Sequence, residues 1–193
     1  MRHPSRQEGR IAKPYNQRCA VRVTYAPNRI AGQWAAHGRY ISRASAAGEN
    51  LQSLGFVSAG SDIDVPEALG SWQKAGDPRL FKLIISPEFG ERLDLKAHTR
   101  NLMERMERDL GTKLEWVAII HRNTEHPHVH VALRGRDERG IALRLPREYI
   151  KNGIRQHADA LATEQLGYRT QLDAEEARDG KSITRALHRS TAR

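Results

Sequence analysis

The sequence predicts an α+β domain, in which a central antiparallel β-sheet carries helices packed on one side. Short strand-like runs alternate with two long helix-like runs, and the joints between successive strands are short and polar, which is typical of hairpins rather than crossovers. The 193 residues are enough for one ordinary domain with a buried core. No apolar run approaches the roughly 20 residues of a membrane span, so we expect a cytoplasmic protein with no membrane span.

Strands are predicted where apolar and polar residues alternate, or where short apolar runs are bounded by turn residues. These are residues 20–25 (AVRVTY), 80–85 (LFKLII), 115–121 (EWVAIIH), 128–134 (HVHVALR) and 141–145, the last preceded by a hairpin turn at 136–140. Helices are predicted where apolar residues recur with helical spacing. These are residues 30–43, a short patch at 65–72, 94–110 and 146–167.

The remaining segments suggest how the chain is organised. Residues 1–17 are polar and basic without a strand or helix period, and we interpret them as a flexible basic arm. The folded domain is predicted over 18–170, with 171–193 as a tail or the start of a further region. Within the domain, residues 44–60 are rich in Ala, Ser and Gly, and we expect them to be its mobile part.

Charge makes nucleic acid the first partner to consider. The formal net charge is +9 and the isoelectric point is near 10.1, which favours a polyanionic partner but does not by itself distinguish one from a merely soluble basic surface. The single cysteine, Cys19, excludes an intramolecular disulfide framework and any CxxC zinc module.

The strongest signal is a cluster of histidines in the string HRNTEHPHVHVALRG. Side chains alternate along a strand, so His128 and His130 project from one face about 7 Å apart and can share a metal ion. His121 ends the preceding strand and is a candidate third ligand. Three neutral imidazoles leave coordination positions open, as in a catalytic metal site. Pro127 bends the backbone next to His126, which favours a supporting or substrate-contacting role for that residue over ligation.

This string, H-x-N-x-x-H-P-H-V-H over residues 121–130, resembles the third motif of relaxases, the single-strand DNA nickases of conjugation and plasmid mobilisation in the HUH endonuclease superfamily. The surrounding segments FKLIISPE, DLKAHTRNLMERMERDLG and LPREYIKNGIRQHADALATEQLG are similar to the same family. The resemblance implies a palm-like HUH nuclease fold. It also implies a divalent cation on His121, His128 and His130, with Mg²⁺ or Mn²⁺ favoured and Zn²⁺ possible.

The chain departs from the family pattern at one position. Many relatives carry aspartate two residues after the first histidine, where this sequence has Asn123. If that carboxylate orients a ligand or accepts a proton, Glu125 or Glu88 is a candidate substitute.

The resemblance also implies a tyrosine nucleophile near the amino end, in a helix context similar to Y-L-T-R. Tyr40, in Arg39-Tyr40-Ile41-Ser42-Arg43, stands in that position. A phenol is mostly protonated at neutral pH, so its attack requires a base or nearby positive charge, which Arg39, Arg43 and the metal are placed to supply. Tyr25 is the competing candidate, although its strand context suggests a packing role.

The resemblance implies a single-stranded DNA substrate at an origin of transfer with an adjacent hairpin, and accessory relaxosome proteins as further partners. Trp34 and Trp72 are candidates for base stacking. Candidate backbone contacts are arginines near the first strand, the first helix and the later hairpin. They are Arg22, Arg29, Arg39, Arg43, Arg134 and Arg136.

The sequence therefore favours a metal-dependent, site-specific nickase that forms a 5′-phosphotyrosyl intermediate and starts conjugative or mobilisation transfer. Two alternatives stay open. One is an HUH-type replication initiator or transposase nuclease with the same metal triad, and the other is a non-catalytic, metal-stabilised nucleic-acid-binding module.

Overall fold

Six antiparallel strands form one sheet in the computed structural model of the chain, which describes residues 15–44, 54–122, 124, 126–175 and 177. The strands are β1 (Cys19–Pro27), β2 (Gly55–Val57), β3 (Gly60–Ile63), β4 (Arg79–Pro87), β5 (Trp116–His121) and β6 (His128–Arg134). The helices are α1 (Gln33–Ala44), α2 (Val65–Lys74), α3 (Leu95–Leu110) and α4 (Ile154–Leu166), with a 3-10 turn at Gly90–Arg92 and a π-helical segment at Tyr149–Gly153. The sheet order is β1-β4-β6-β5-β2-β3. The predicted α+β class and antiparallel sheet are confirmed.

Helices cover both faces of the sheet, so the expectation that they pack on one side was wrong in that detail. The larger core lies between the sheet and the α3–α4 pair and includes Leu83, Met103 and Leu161. The smaller core lies on the opposite face beneath α1 and α2 and includes Trp34, Leu69 and Ile119. A strand residue therefore faces one helix pair or the other according to its parity.

The predicted strands and helices are found at nearly the predicted positions, with two exceptions. Residues 141–145 do not form a strand, because that segment pairs with the sheet only through the isolated bridge Arg136↔Ala142. Residues 55–63, which fall largely in the segment predicted to be mobile, form the β2–β3 hairpin at the edge of the sheet. Residues 45–53 of that segment lie outside the described residues.

The position of α1 is fixed by a close approach to α2. A Cβ atom on Gly38 would lie 2.8 Å from both the backbone N and the Cα of Pro66. Only glycine permits this separation, since no side chain fits between the two backbones. The contact sets where the exposed flank of α1, with Arg39, Tyr40 and Arg43, lies relative to the sheet.

Both ends of the described chain contact the domain. Residue Gln17, in the predicted arm, donates its backbone N–H to Thr163 Oγ1 and its side-chain amide to the carbonyl of Gly167. Beyond residue 170 the chain is helical over 171–175, where Asp173 accepts from Arg92 Nη1 at 2.7 Å. Residues 1–14 of the predicted arm lie outside the described residues.

Within the part of the chain that the structure describes, no helix is both long enough and apolar enough to cross a membrane.

Candidate metal centre

The three histidines predicted as ligands come together at one end of the sheet, on the face covered by α1 and α2. His121 ends β5 and lies directly opposite His128, the first residue of β6, while His130 follows two residues later on the same face. Their ring centroids are 5.1 Å (His121 to His128), 4.4 Å (His121 to His130) and 5.1 Å (His128 to His130) apart. One nitrogen from each ring lies within 4.8 Å of the others. We call these three residues the histidine triad.

Backbone carbonyls fix the orientation of two of the three rings. His121 Nε2 lies 2.9 Å from the carbonyl oxygen of Ile41 in α1, and His128 Nδ1 lies 2.9 Å from the carbonyl oxygen of His126. A carbonyl only accepts, so each of these nitrogens carries the hydrogen and the other ring nitrogen keeps its lone pair. His121 therefore offers Nδ1, and His128 offers Nε2, to a shared cation.

The electrostatics of the triad suit a metal ion. Burial lowers the pKa of His121 below its usual range, and burial together with neighbouring histidines lowers the pKa of His130 to about 4. Both imidazoles are therefore neutral at physiological pH, which is the form that ligates metals. Three converging imidazole lone pairs fit a divalent transition-metal ion.

The supporting residues predicted around the triad fall in different places. His126 contributes its backbone carbonyl to His128, and its side chain is exposed and outside the triad. Glu88 forms an ion pair with Arg169 at 2.9 Å. Asn123 and Glu125 lie outside the described residues.

The candidate nucleophile lies on the helix that contacts the triad. Tyr40 is 69% exposed, and the next residue, Ile41, supplies the carbonyl that orients His121. Tyr25, the competing candidate, lies on edge strand β1 opposite Phe81, with its side chain on the α3–α4 face of the sheet. Of the two tyrosines, only Tyr40 is on an element that touches the triad.

Four of the six predicted DNA-binding arginines, Arg22, Arg29, Arg39 and Arg43, are exposed. Arg22 lies on β1 in register with Ile84 of β4, which in turn pairs with His130, so all three share one row and one face of the sheet. Arg29 and Arg39 line a groove of about 840 Å³ between α1 and α2. Arg43 is exposed near the end of α1.

The other two predicted arginines are engaged in an ion-pair network at the opposite end of β6. Arg134 Nε and Arg136 Nε contact the two carboxylate oxygens of Asp77 at 2.6 and 2.8 Å, and Asp77 is fully buried. Glu115 accepts from both Arg134 Nη1 and Trp72 Nε1 at 2.6 Å. These arginines neutralise a buried carboxylate, which gives them a structural role that the sequence did not suggest.

The predicted stacking tryptophans are not available to bases. Trp34 is 1% exposed and Trp72 is 6% exposed, because both belong to the core beneath α1 and α2. Their large apolar rings are covered by the helices that carry them.

Two residues near the triad were missed by the sequence analysis. His37 on α1 and Lys82 on β4 lie close enough to act on each other electrostatically, and His37 acts in the same way on His130. The alternation in LFKLII places Lys82 on the histidine face only once β4 is known to pair with β6. That pairing is a long-range feature with no local signal.

The sequence of the chain matches one family model. The model of the MobA/VirD2-like relaxase nuclease domain matches residues 67–165, a span that contains the whole triad and ends within α4, and begins after Tyr40. No curated protein matches the chain. Nucleases of this family depend on a metal, bind single-stranded DNA and nick it for mobilisation. The match covers about half of the chain, and the chain therefore belongs to the relaxase family with a MobA/VirD2-like nuclease domain.

Proposed function

We propose that this protein cuts one DNA strand by transesterification, with Tyr40 as the nucleophile and a divalent cation on His121, His128 and His130. The observation that carries the proposal is the hydrogen bond between His121 and the carbonyl of Ile41. It ties the helix bearing Tyr40 to the triad, so the phenol and the three imidazoles are positioned by one packed unit.

The reaction exchanges one phosphoester for another. The Oη atom of Tyr40 forms a bond to the scissile phosphorus, the bond from phosphorus to the 3′ oxygen breaks, and the phenolic proton is lost while the 3′ oxygen gains one. The products are a 5′-phosphotyrosine and a free 3′ hydroxyl, so the strand can be rejoined without ATP. Arg39 and Arg43 are exposed on either side of Tyr40 in the sequence and are available to contact the phosphate.

A divalent cation at the triad, when bound, supplies Lewis-acid stabilisation of the negative charge that builds up on the phosphate. All three protein ligands are nitrogen atoms. Imidazole donors suit Zn²⁺ and other late transition metals, whereas Mg²⁺ prefers oxygen. We therefore infer that Mn²⁺ and Zn²⁺ bind the triad more tightly than Mg²⁺.

The substrate that we propose is a single strand at an origin of transfer, recognised next to a hairpin, with accessory relaxosome proteins assisting. Family membership supports this part of the proposal. The exposed Tyr40 and the exposed arginines beside it support it independently, because they give a cationic surface to the helix that contacts the triad.

The test uses a random library of fluorescent single-stranded oligonucleotides with Mn²⁺. We expect the wild-type chain to form a covalent adduct that resists denaturation, and mass spectrometry of the modified peptide to place the nucleotide on Tyr40. Tyr40→Phe should abolish the adduct while leaving binding within about twofold, because only a hydroxyl is removed from an exposed side chain. Tyr25→Phe is the matched control, since that ring lies on the opposite face and should leave the adduct unchanged.

An adduct on Tyr25 would overturn the assignment of the nucleophile. Binding without any adduct, with the metal present, would favour the non-catalytic module. Sequencing the attached strands would show which DNA site is cut, and attachment to sites typical of a replication origin or transposon end would overturn the transfer role.

A further inference from the structure

The helices among the described residues cover only part of the sheet face that carries the triad. On this face α1 and α2 lie over β5, while residues on the outer strands beside the triad are exposed or half-buried. Arg22 and Thr24 of β1 are exposed, and Lys82 and Ile84 of β4 are half-buried. This open strip begins at His130 and crosses β4 to the edge strand β1.

The strip is cationic. Arg22 pairs with Ile84 and Ile84 with His130, whereas Thr24 pairs with Lys82 and Lys82 with Ala132. Adjacent strands lie about 4.8 Å apart and alternate residues about 7 Å apart, so Lys82 stands roughly 8 Å, and Arg22 roughly 10 Å, from His130 along the backbone. Both long side chains can reach a ligand that extends from the triad.

Four arginines elsewhere have a carboxylate partner of a kind that the two cations of the strip lack among the described residues. Arg92, Arg134, Arg136 and Arg169 each pair with a buried or nearly buried carboxylate. Among the residues that the structure describes, neither Arg22 nor Lys82 takes part in an ion pair. Lys82 is half-buried beside histidines without a carboxylate partner among the described residues, and an anionic ligand would supply the missing counter-charge.

The neighbouring His37 reinforces this interpretation. It lies on α1 one helical turn before Ile41, on the side of the strip, and burial and the charge of Lys82 lower its pKa to about 4. His37 is therefore a neutral imidazole beside the strip and does not repel Lys82 at physiological pH.

We propose that Lys82 and Arg22 bind the phosphodiester backbone of the substrate strand next to the scissile phosphate, so that the strand runs from the triad across β4 to β1. The proposal rests on the proposed function for the identity of the substrate. Lysine serves here as a point charge for a phosphate, and β1 is the edge strand of the described sheet on this side.

The test measures binding of a fluorescein-labelled random 20-nucleotide single strand by anisotropy, at several salt concentrations with Mn²⁺, using the full chain. For a single strand, each phosphate that the protein neutralises contributes about 0.7 to the slope of log affinity against log salt. We expect Lys82→Gln and Arg22→Gln each to reduce the slope by about this amount and to weaken binding several-fold at low salt. The double variant should show both reductions together.

Lys96→Gln is the matched control. Lys96 is also half-buried, but it lies on α3, and its Nζ contacts Ser61 Oγ. It should leave the slope unchanged. Mn²⁺ affinity of each variant, measured separately, shows that the triad end of the sheet is intact.

A wild-type slope in the double variant, with Mn²⁺ affinity retained, would overturn the proposed path. Failure of the proposed function has a different signature. If Tyr40 is not the nucleophile, Tyr40→Phe keeps the adduct while the salt slope still depends on Lys82.

Discussion

Basic side chains lie on the same sheet face at both ends of β6, but they are paired with carboxylates at only one of the two ends among the described residues. At the Arg134 end, Asp77 is fully buried between two arginines, and Glu115 completes a closed ionic network. At the His128 end, His121 and His130 are neutral, and nearby Lys82 and Arg22 have no carboxylate partner among the described residues. Paired charge stabilises one end of the strand, and unpaired charge makes the other end available to a ligand.

Asp77 is the residue at which a single substitution should have the largest effect on stability. Asp77→Asn keeps the shape of the side chain but leaves two arginines without their buried counter-charge. Because these arginines are 25% and 33% exposed, we expect a loss at the lower end of the range for broken buried pairs, about 3 kcal/mol in the free energy of unfolding. Urea denaturation of the metal-free protein measures it, and Mn²⁺ affinity should stay within twofold.

Arg105→Gln is the control for this measurement. Arg105 pairs with Glu164 at 2.6 Å, but the glutamate is 58% exposed, so the cost should be below about 1 kcal/mol. If Asp77→Asn lowers the free energy of unfolding no more than this control does, the ion-pair network does not stabilise the Arg134 end of β6.

The role of the side chains at the His128 end of β6 could be predicted from the sequence, whereas the role of those at the Arg134 end could not. The alternation in HVHV places His128 and His130 on one face without any tertiary information, and the structure confirms that placement. Arg134 and Arg136 looked equally available, because their partner Asp77 lies 57 and 59 residues earlier in the chain. Sequence shows where a charge is but not which distant carboxylate neutralises it.

Two features of the fold were also not predicted correctly from local sequence patterns, because they depend on long-range strand pairing. The strand predicted at 141–145 has the right composition, but only one of its residues finds a partner bridge. The β2–β3 hairpin is too short and too rich in Gly, Ser and Asp to give a strand signal. The apolar run in β5, with Trp116 and Val117 both buried, was in principle a sign of a strand covered on both faces.

Metal affinity tests the open end directly. His130→Asn removes one of three ligands, and we expect Mn²⁺ affinity by calorimetry to fall by at least about 100-fold, or about 2.7 kcal/mol. The rise in melting temperature that Mn²⁺ gives the wild-type protein should disappear with it, and chelation of the wild type should have the same result. His126→Asn is the matched control, since that side chain is exposed and outside the triad. Equal losses in both variants would contradict the assigned ligand set.

A smaller effect tests whether α1 and the triad are one unit. Alanine normally stabilises a helix relative to glycine, but a Cβ at Gly38 would be 2.8 Å from the backbone of Pro66. Gly38→Ala should therefore destabilise the protein by about 1–2 kcal/mol and, by displacing the Ile41 carbonyl from His121, weaken Mn²⁺ binding several-fold.

Gly70→Ala in α2 is the control for this substitution. Its Cβ would make an ordinary 3.5 Å contact with Ala35, so we expect no loss or a gain of about 0.5–1 kcal/mol. Loss of stability in Gly38→Ala with unchanged Mn²⁺ affinity would show that the helix does not position the triad.

The smallest expected effect is the contribution of the buried His98 to the pH dependence of stability. His98 lies in the α3–α4 core, fully buried, with Nε2–H donating to the carbonyl of Ala158 at 3.0 Å. Burial, the larger cause, and the charge of Arg105 lower its pKa below the usual 6.5. As pH falls, the unfolded chain takes up this proton before the folded one does. The contribution of His98 to stability is therefore complete above about pH 6.5 and is lost as pH falls through the folded-state value. Urea midpoints in EDTA at pH 7.5 and pH 5 should differ less in His98→Gln than in the wild type, whatever the stability of the variant at pH 7.5. An unchanged difference would mean that the pH sensitivity comes from titrating groups other than His98.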